Sequence, residues 1–255
     1  MKHLTVAMAA VAALLSSQAM AQTPPAAVTA AVSDPTRPET DTRQDASRHP
    51  ADLVAFSKAK AGDAVVDVAP GGGYWTRLFS TVVGPKGKVY AYVPGEFAAF
   101  KSNPVALASA ITSEAGHGNV EMTTLPLAQP WPPAVRGTVD VVWTFENYHD
   151  FHDSFMKGAD VGAYNRAVFD LLKPGGFYLV GDHAAAAGSK LKNTEDLHRI
   201  DPEEVKAQIQ KAGFVFDGEI KVLANAEDDH TLKVFDAAVR GKTDRFVFRF
   251  KKPAK

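Results

Sequence analysis

The chain has 255 residues, with 28 Lys and Arg against 29 Asp and Glu, a formal net charge of −1, and no cysteine. That balance offers no basic surface for nucleic acid, and the missing cysteines exclude both disulfides and a lipid-anchored cysteine. The length suits one α/β domain of roughly 200 residues that relies on its core.

Residues 1–21 read as a secretory signal peptide. Lys2 and His3 precede the apolar run 6–15, and Ala19-Met20-Ala21 is a small-residue cleavage pattern. The run is too short to span a bilayer. The expectation is cleavage near Ala21, a secreted or periplasmic protein, and no stable membrane insertion afterwards. Residues 22–40, rich in Ala, Pro and Thr, read as a flexible leader. Residues 41–255 read as the folded domain. Arg43, Asp45, Arg48 and His49 raise the charge density at its start. Pro50 then opens a short helix with Leu53, Val54 and Phe56 as packing residues.

Strands and helices alternate from there. Strands are expected at 65–69, 88–93, 119–125, 139–145, 177–181, 214–223 and 244–250. Helices are expected at 74–83, from Pro104, at 161–172 and from Pro202 to Gly213. The order predicts a Rossmann-like, seven-stranded, mostly parallel sheet with helices on both faces. The last two strands lack a clear intervening helix and are expected as an antiparallel hairpin.

Asp67-Val-Ala-Pro-Gly-Gly-Gly73 lies between the first strand and a helix. Glycines there let a ligand approach the backbone, and the helix amides favour electron-rich groups. A dinucleotide fingerprint would need a third small residue where Thr76 stands. Glu146-Asn-Tyr-His-Asp-Phe-His-Asp153 follows the fourth strand, at the sheet edge where parallel α/β proteins bind ligands. Asn147 can position a nucleophile, His149 can accept a proton near neutral pH, and Asp150 can hold the imidazole. His183, after the fifth strand, is a second candidate base or a pocket wall. Two other readings of the segment are a solvated helix start capped by Asp153 and, behind it, a metal held by His149 and His152 with oxygens from Asp150 and Asp153. His198 and Arg199 read as pocket residues or loop anchors, and Asp228-Asp229-His230 reads as a solvated loop.

The glycine turn and Leu171-Leu-Lys-Pro-Gly-Gly-Phe-Tyr-Leu-Val180 resemble the matching motifs of class I S-adenosylmethionine-dependent methyltransferases. Val65-Val-Asp-Val-Ala-Pro-Gly-Gly-Gly-Tyr74, Glu-Asn-Tyr-His-Asp, Gly-Asp-His and His-Arg-Ile-Asp resemble a group of exported predicted methyltransferases. The resemblance implies S-adenosylmethionine as cofactor and a small-molecule acceptor. It implies cofactor contacts from Asp67, Ala69, Pro70, Gly71, Gly73, Tyr74 and Phe145, and cover from the segment before the first strand. Asn147, His149, Asp150 and His183 would face the acceptor. Two positions depart from the family pattern. Ala69 replaces its first glycine, which implies an ordinary φ there. Tyr92 stands where strand two should end in a ribose-binding acid, with Glu96 slightly beyond. The alternatives left open are a non-catalytic cofactor-binding protein and a metal-assisted hydrolase using His149, Asp150 and His152.

Overall fold

The computed structural model describes residues 23–129 and 131–254, so the segment read as a signal peptide and its cleavage point lie outside the described residues. Four helices, α1 (Ala26–Val32), α2 (Glu39–Thr42), α3 (Asp45–Arg48) and α4 (Pro50–Ser57), precede strand β1 (Ala64–Val68). Then come α5 (Tyr74–Val83), β2 (Lys88–Pro94), α6 (Pro104–Ile111), β3 (Val120–Leu125) and β4 (Val139–Phe145). The chain continues through α7 (Val161–Leu171), β5 (Leu172–His183), α8 (Thr194–Leu197), α9 (Pro202–Lys211), β6 (Val215–Glu219) and β7 (Arg245–Lys251). Among the described residues, no helix is long and apolar enough to cross a membrane.

The seven strands lie in the order β3-β2-β1-β4-β5-β7-β6. The first five pair in parallel, and β7 runs antiparallel to both β5 and β6. Successive strand residues face opposite sides, and β5 shows what covers each. The Tyr178 hydroxyl lies 3.5 Å from that of Tyr164 on α7. On the other face, Arg249 stacks over Phe177 and over Phe56 of α4, at 5.3 and 4.3 Å. Two covered faces explain why Val139, Val141, Val142 and Trp143 form a nearly unbroken apolar run in β4, every one of them buried.

Three elements differ from the sequence expectation. Residues 26–32 are not a flexible leader: α1 packs on α4 and α5, burying Val28 and Ala31. These two side chains are three apart and share a helix face. Alanine-rich composition suits a helix as well as a linker. Strand β5 starts at Leu172, so Lys173-Pro-Gly-Gly176 lies within the strand, at an irregularity in its pairing with β4. Strand β6 ends at Glu219, and the chain beyond it forms turns up to β7.

One of those turns carries Asp228, which is buried rather than solvated. Its carboxylate accepts from both Arg199 Nη atoms at 2.8 and 3.1 Å. Arg199 also donates to the carbonyls of Ala184 and Leu232, and Asp228 accepts from the Asp244 amide. Arg199 is thus an anchor holding the segments after β5 and before β7 together. Breaking a buried pair leaves an uncompensated charge. Arg199→Ala is expected to cost about 3–5 kcal/mol, read as a lower urea midpoint; a loss under about 1 kcal/mol would contradict the anchoring role.

Candidate functional site

Past β1 the chain crosses to β2, and past β4 it crosses to β5 on the opposite side. The strand order therefore reverses between them and leaves a crevice beyond their carboxyl ends. A cleft of about 260 Å³ occupies it. Asp67, Ala69, Pro70, Gly71 and Tyr74 line it from the glycine turn, and Phe145, Glu146 and Asn147 from the end of β4. Asp41, Gln44 and Arg48 close it from the segment before β1, and Trp75 from α5.

The glycines of the turn differ in role. Gly71 and Gly73 both have positive φ, +55° and +88°. A Cβ on Gly71 would meet open space, whereas one on Gly73 would run into Ile111 of α6. Gly71 therefore leaves room for a ligand, and Gly73 allows helix packing. Ala69 does not have the ordinary φ expected of it; its φ is +52°. The Ala69 amide still donates to Tyr92 O at 2.8 Å, so the turn must begin at once. Pro70 also disfavours a right-handed helical conformation in the residue before it.

Asp67 is buried and accepts a 2.6 Å hydrogen bond from the Thr76 hydroxyl. Burial pushes the carboxyl up to about 7, against the opposing pull of Thr76 and Arg48. Thr76 thus uses its side chain to hold Asp67 where a dinucleotide motif would place a third small residue.

The segment before β1 divides into cover and surface. Arg48 lies 4.6 Å over the Tyr74 ring and 3.7 Å from Glu146. Tyr74 donates to Asp45 at 2.6 Å, and Arg37 grips the same carboxylate with two 2.8 Å bonds. Arg77 joins Asp41 to the Gly72 carbonyl. Arg43 and His49 instead make exposed pairs with Glu39 and Asp52. Glu146 accepts from Arg245 at 2.8 Å. Burial would raise its carboxyl, but His183, Arg48 and Arg245 together hold it below its ordinary value.

Two residues expected at the cofactor lie elsewhere. Tyr92 is buried against Trp131, its hydroxyl donating to Leu125 O at 3.1 Å. The Glu96 carboxylate accepts from the Leu127 amide at 3.0 and 3.2 Å. The turn over Gly95–Ala99 directs Glu96 to that amide. No residue from the end of β2 lines the cleft.

The acceptor candidates separate likewise. Asn147 lines the cleft, its amide donating to Phe145 O at 2.6 Å. His149, Asp150 and His183 do not line it, and His149 is buried. Its Nδ1 and backbone amide each lie 2.8 Å from an oxygen of Asp182. Asp150 approaches its Nε2 at 3.2 Å, so Asp182 is the main orienting carboxylate and Asp150 a second one. Burial would lower the His149 pKa, but the two carboxylates hold it well above the ordinary value. His183 has its ring centroid 6.3 Å from that of His149 and bonds Thr243 through Nδ1 at 2.8 Å. Burial lowers its pKa against the pull of Glu146. His152 is not in this group; its ring lies 5.9 Å from Tyr148. His198 takes its place, with Nδ1 3.3 Å from His149 Nε2.

Sequence reasoning missed Asp41, Gln44, Glu146 and Asp182 as members of these groups, and read His198 as a pocket residue or loop anchor without linking it to His149. Three of the motif strings contained Glu146, Asp182 or His198, but nothing in local spacing joins residues 33 or 49 positions apart.

No protein-family model and no curated protein matches the sequence. Solved structures match its fold. An S-adenosylmethionine-dependent methyltransferase from Aquifex aeolicus superposes with a TM-score of 0.55 at 19% identity, covering 78% of this chain and 87% of that one. The cyclase SpnF gives 0.58 at 16% identity, covering 84% and 82%. Geranyl diphosphate C-methyltransferase from Streptomyces coelicolor, solved with Mg2+, geranyl diphosphate and S-adenosyl-L-homocysteine, gives 0.53 at 14%, covering 88% and 87%. At such identities the likeness shows the fold, which is the Rossmann-like fold of S-adenosylmethionine-dependent methyltransferases.

Two predictions test the turn. Left-handed geometry costs an L-residue about 1–2 kcal/mol, so Ala69→Gly should raise stability by about 1 kcal/mol in urea unfolding. An unchanged or lower midpoint would contradict strain at Ala69. For Asp67, the folded pKa lies above the unfolded one. Its contribution is therefore full below pH 3.8 and is lost as pH rises through about 7. The stability of Asp67→Asn relative to the unmodified protein should improve across that window, by on the order of 4 kcal/mol at most. A pH-independent difference would refute a neutral buried Asp67.

Proposed function

We propose that this chain is an S-adenosylmethionine-dependent methyltransferase acting on a small-molecule acceptor. The observation that carries the reading is the cleft at the β1/β4 strand-order reversal, lined by an open Gly71 and by Arg48 from the covering segment. The donor set fits the amino-acid end of the cofactor. The Arg48 guanidinium makes no hydrogen bond among the described residues, only a 3.7 Å ion pair with Glu146, so it can take a carboxylate. The amino end of α5, with no side-chain cap, favours the same group. Asp41 and Glu146 supply negative charge for an ammonium or sulfonium, and Asp67 adds a carboxyl that can accept a hydrogen bond. The end of β2 does not fit a ribose in the expected way, because Glu96 is engaged with Leu127.

When bound, S-adenosylmethionine supplies an electrophilic methyl group on a sulfonium. The chain's own part is alignment: Asn147 stands at the cleft to orient an acceptor, and the walls formed by Phe145, Trp75 and Tyr74 keep water out. His183, behind the lining residue Glu146 and with its pKa lowered by burial, is the candidate proton acceptor. His149, gripped by carboxylates on both ring nitrogens, is not the proton acceptor. The leader motif adds the proposal that the protein works outside the cytoplasm, as the resembled exported group would. A second reading, cofactor binding without turnover, is favoured by the engagement of Glu96.

Calorimetry with S-adenosylmethionine and S-adenosylhomocysteine tests binding, with NAD as the control. Heat from the first two and none from NAD is expected; no heat from either would overturn the proposal. Arg48→Ala should weaken binding roughly 10- to 100-fold, the loss of one charged hydrogen-bonding contact. Binding with no S-adenosylhomocysteine formed from any acceptor pool would select the second reading.

A further inference from the structure

The cluster around His149 brings nitrogen and oxygen atoms from distant segments into close range. His149 Nδ1–H donates to Asp182, which also fixes the His149 backbone amide. The His149 Nε2 lies 3.2 Å from Asp150 Oδ1 and 3.3 Å from His198 Nδ1, and a cation could take the place of a proton there. His198 Nδ1 and Asp150 Oδ1 are 3.8 Å apart. Three ligand-type atoms converge, and two come from segments 49 residues apart.

We propose that His149, Asp150 and His198 form a site for a divalent transition metal, zinc foremost. The first support is metric. A triangle with sides of 3.2, 3.3 and 3.8 Å has its centre about 2.0 Å from each corner, which matches the zinc–nitrogen and zinc–oxygen bond lengths of about 2.0–2.2 Å. The second is the orienting carboxylate. A metal-binding histidine characteristically donates its other N–H to a carboxylate or carbonyl, as His149 does to a fully buried Asp182. The third is charge. Asp153 is buried with one oxygen lacking a hydrogen-bond partner among the described residues. Asp150 and Asp182 place two carboxylates against the His149 imidazole.

Two imidazoles and one carboxylate favour zinc and its transition-metal neighbours over magnesium or calcium, which prefer all-oxygen sets. His198 is held in place through its neighbour Arg199, whose guanidinium is locked on Asp228. Its own φ of +54° is a left-handed backbone that few residues adopt without a structural reason. His198 and Asp150 are partly exposed, with side chains 23% and 16% accessible, so an ion can enter and keep a position for an oxygen or nitrogen ligand.

The test uses the untagged full-length protein, stripped by a chelator and free of S-adenosylmethionine, so its outcome is separate from that of the cofactor reading. Zinc is titrated in competition with a chromophoric chelator. One zinc per chain is expected, with a raised thermal midpoint. His198→Ala and Asp150→Ala should each weaken zinc at least 100-fold, and Asp182→Asn roughly 10- to 100-fold. His152→Ala and His230→Ala should bind as the unmodified chain does. Co2+ added to the unmodified protein should give the intense visible bands of a four- or five-coordinate site, a readout that needs no variant to fold. Absence of stoichiometric zinc, absence of those bands, or zinc binding untouched by His198→Ala and Asp150→Ala would show an internal hydrogen-bond network only.

Discussion

Val65–Val68 of β1 pairs in parallel with Val141–Thr144 of β4, and the two chains leave that ladder in opposite directions. Neither connection can then cover the backbone just past the ladder. The polar groups there must turn sharply, recruit side chains or meet solvent. The chain does all three. It turns through Ala69 and Glu146, both with positive φ, one at each strand end. It recruits Asn147 to the Phe145 carbonyl. The rest remains open as the cleft. The covering helices and the histidine cluster are arranged around this one discontinuity.

Charge follows from the same constraint. Carboxylates buried near a crevice must be neutral, paired or matched by a cation. Asp67, with a single hydroxyl donor, takes the first course. Glu146 takes the second, between Arg48 and Arg245. Asp182 and Asp150 do so through His149. Arg48 is the least committed of the nearby cations, which makes it the group best placed to exchange an internal partner for a ligand. In a dry pair both partners are consumed, as with Arg199 and Asp228.

The strands were legible because a strand covered on both faces is written as consecutive valines, and the turn because left-handed backbone draws glycine. The antiparallel end was legible through the missing helix before β7. Other features carried no local signal. The Ala-rich α1 reads as linker until its neighbours α4 and α5 supply a surface. The direction of Glu96 depends on a short turn and on one free amide, that of Leu127. His152 sits at helical spacing from His149, so it looked like the partner. The actual neighbour, His198, is brought in by the Arg199 contact far along the chain. Ala69 was misjudged because conformation at that position is dictated by the β2 carbonyl and by Pro70, not by its own preference.

Arg245 ties these regions together in time as well as in space. One arm of its guanidinium reaches Glu146, and the other reaches the Ser47 carbonyl, across sequence separations of 99 and 198. The final strand therefore clasps both the floor and the cover of the crevice. Contacts of such long range form late, because a large loop must close before they are rewarded. A growing chain cannot finish its crevice until the last strand has been made. A completed crevice is thus reserved for molecules that include β7, and a product truncated before it would present the glycine turn without the Arg245 clasp.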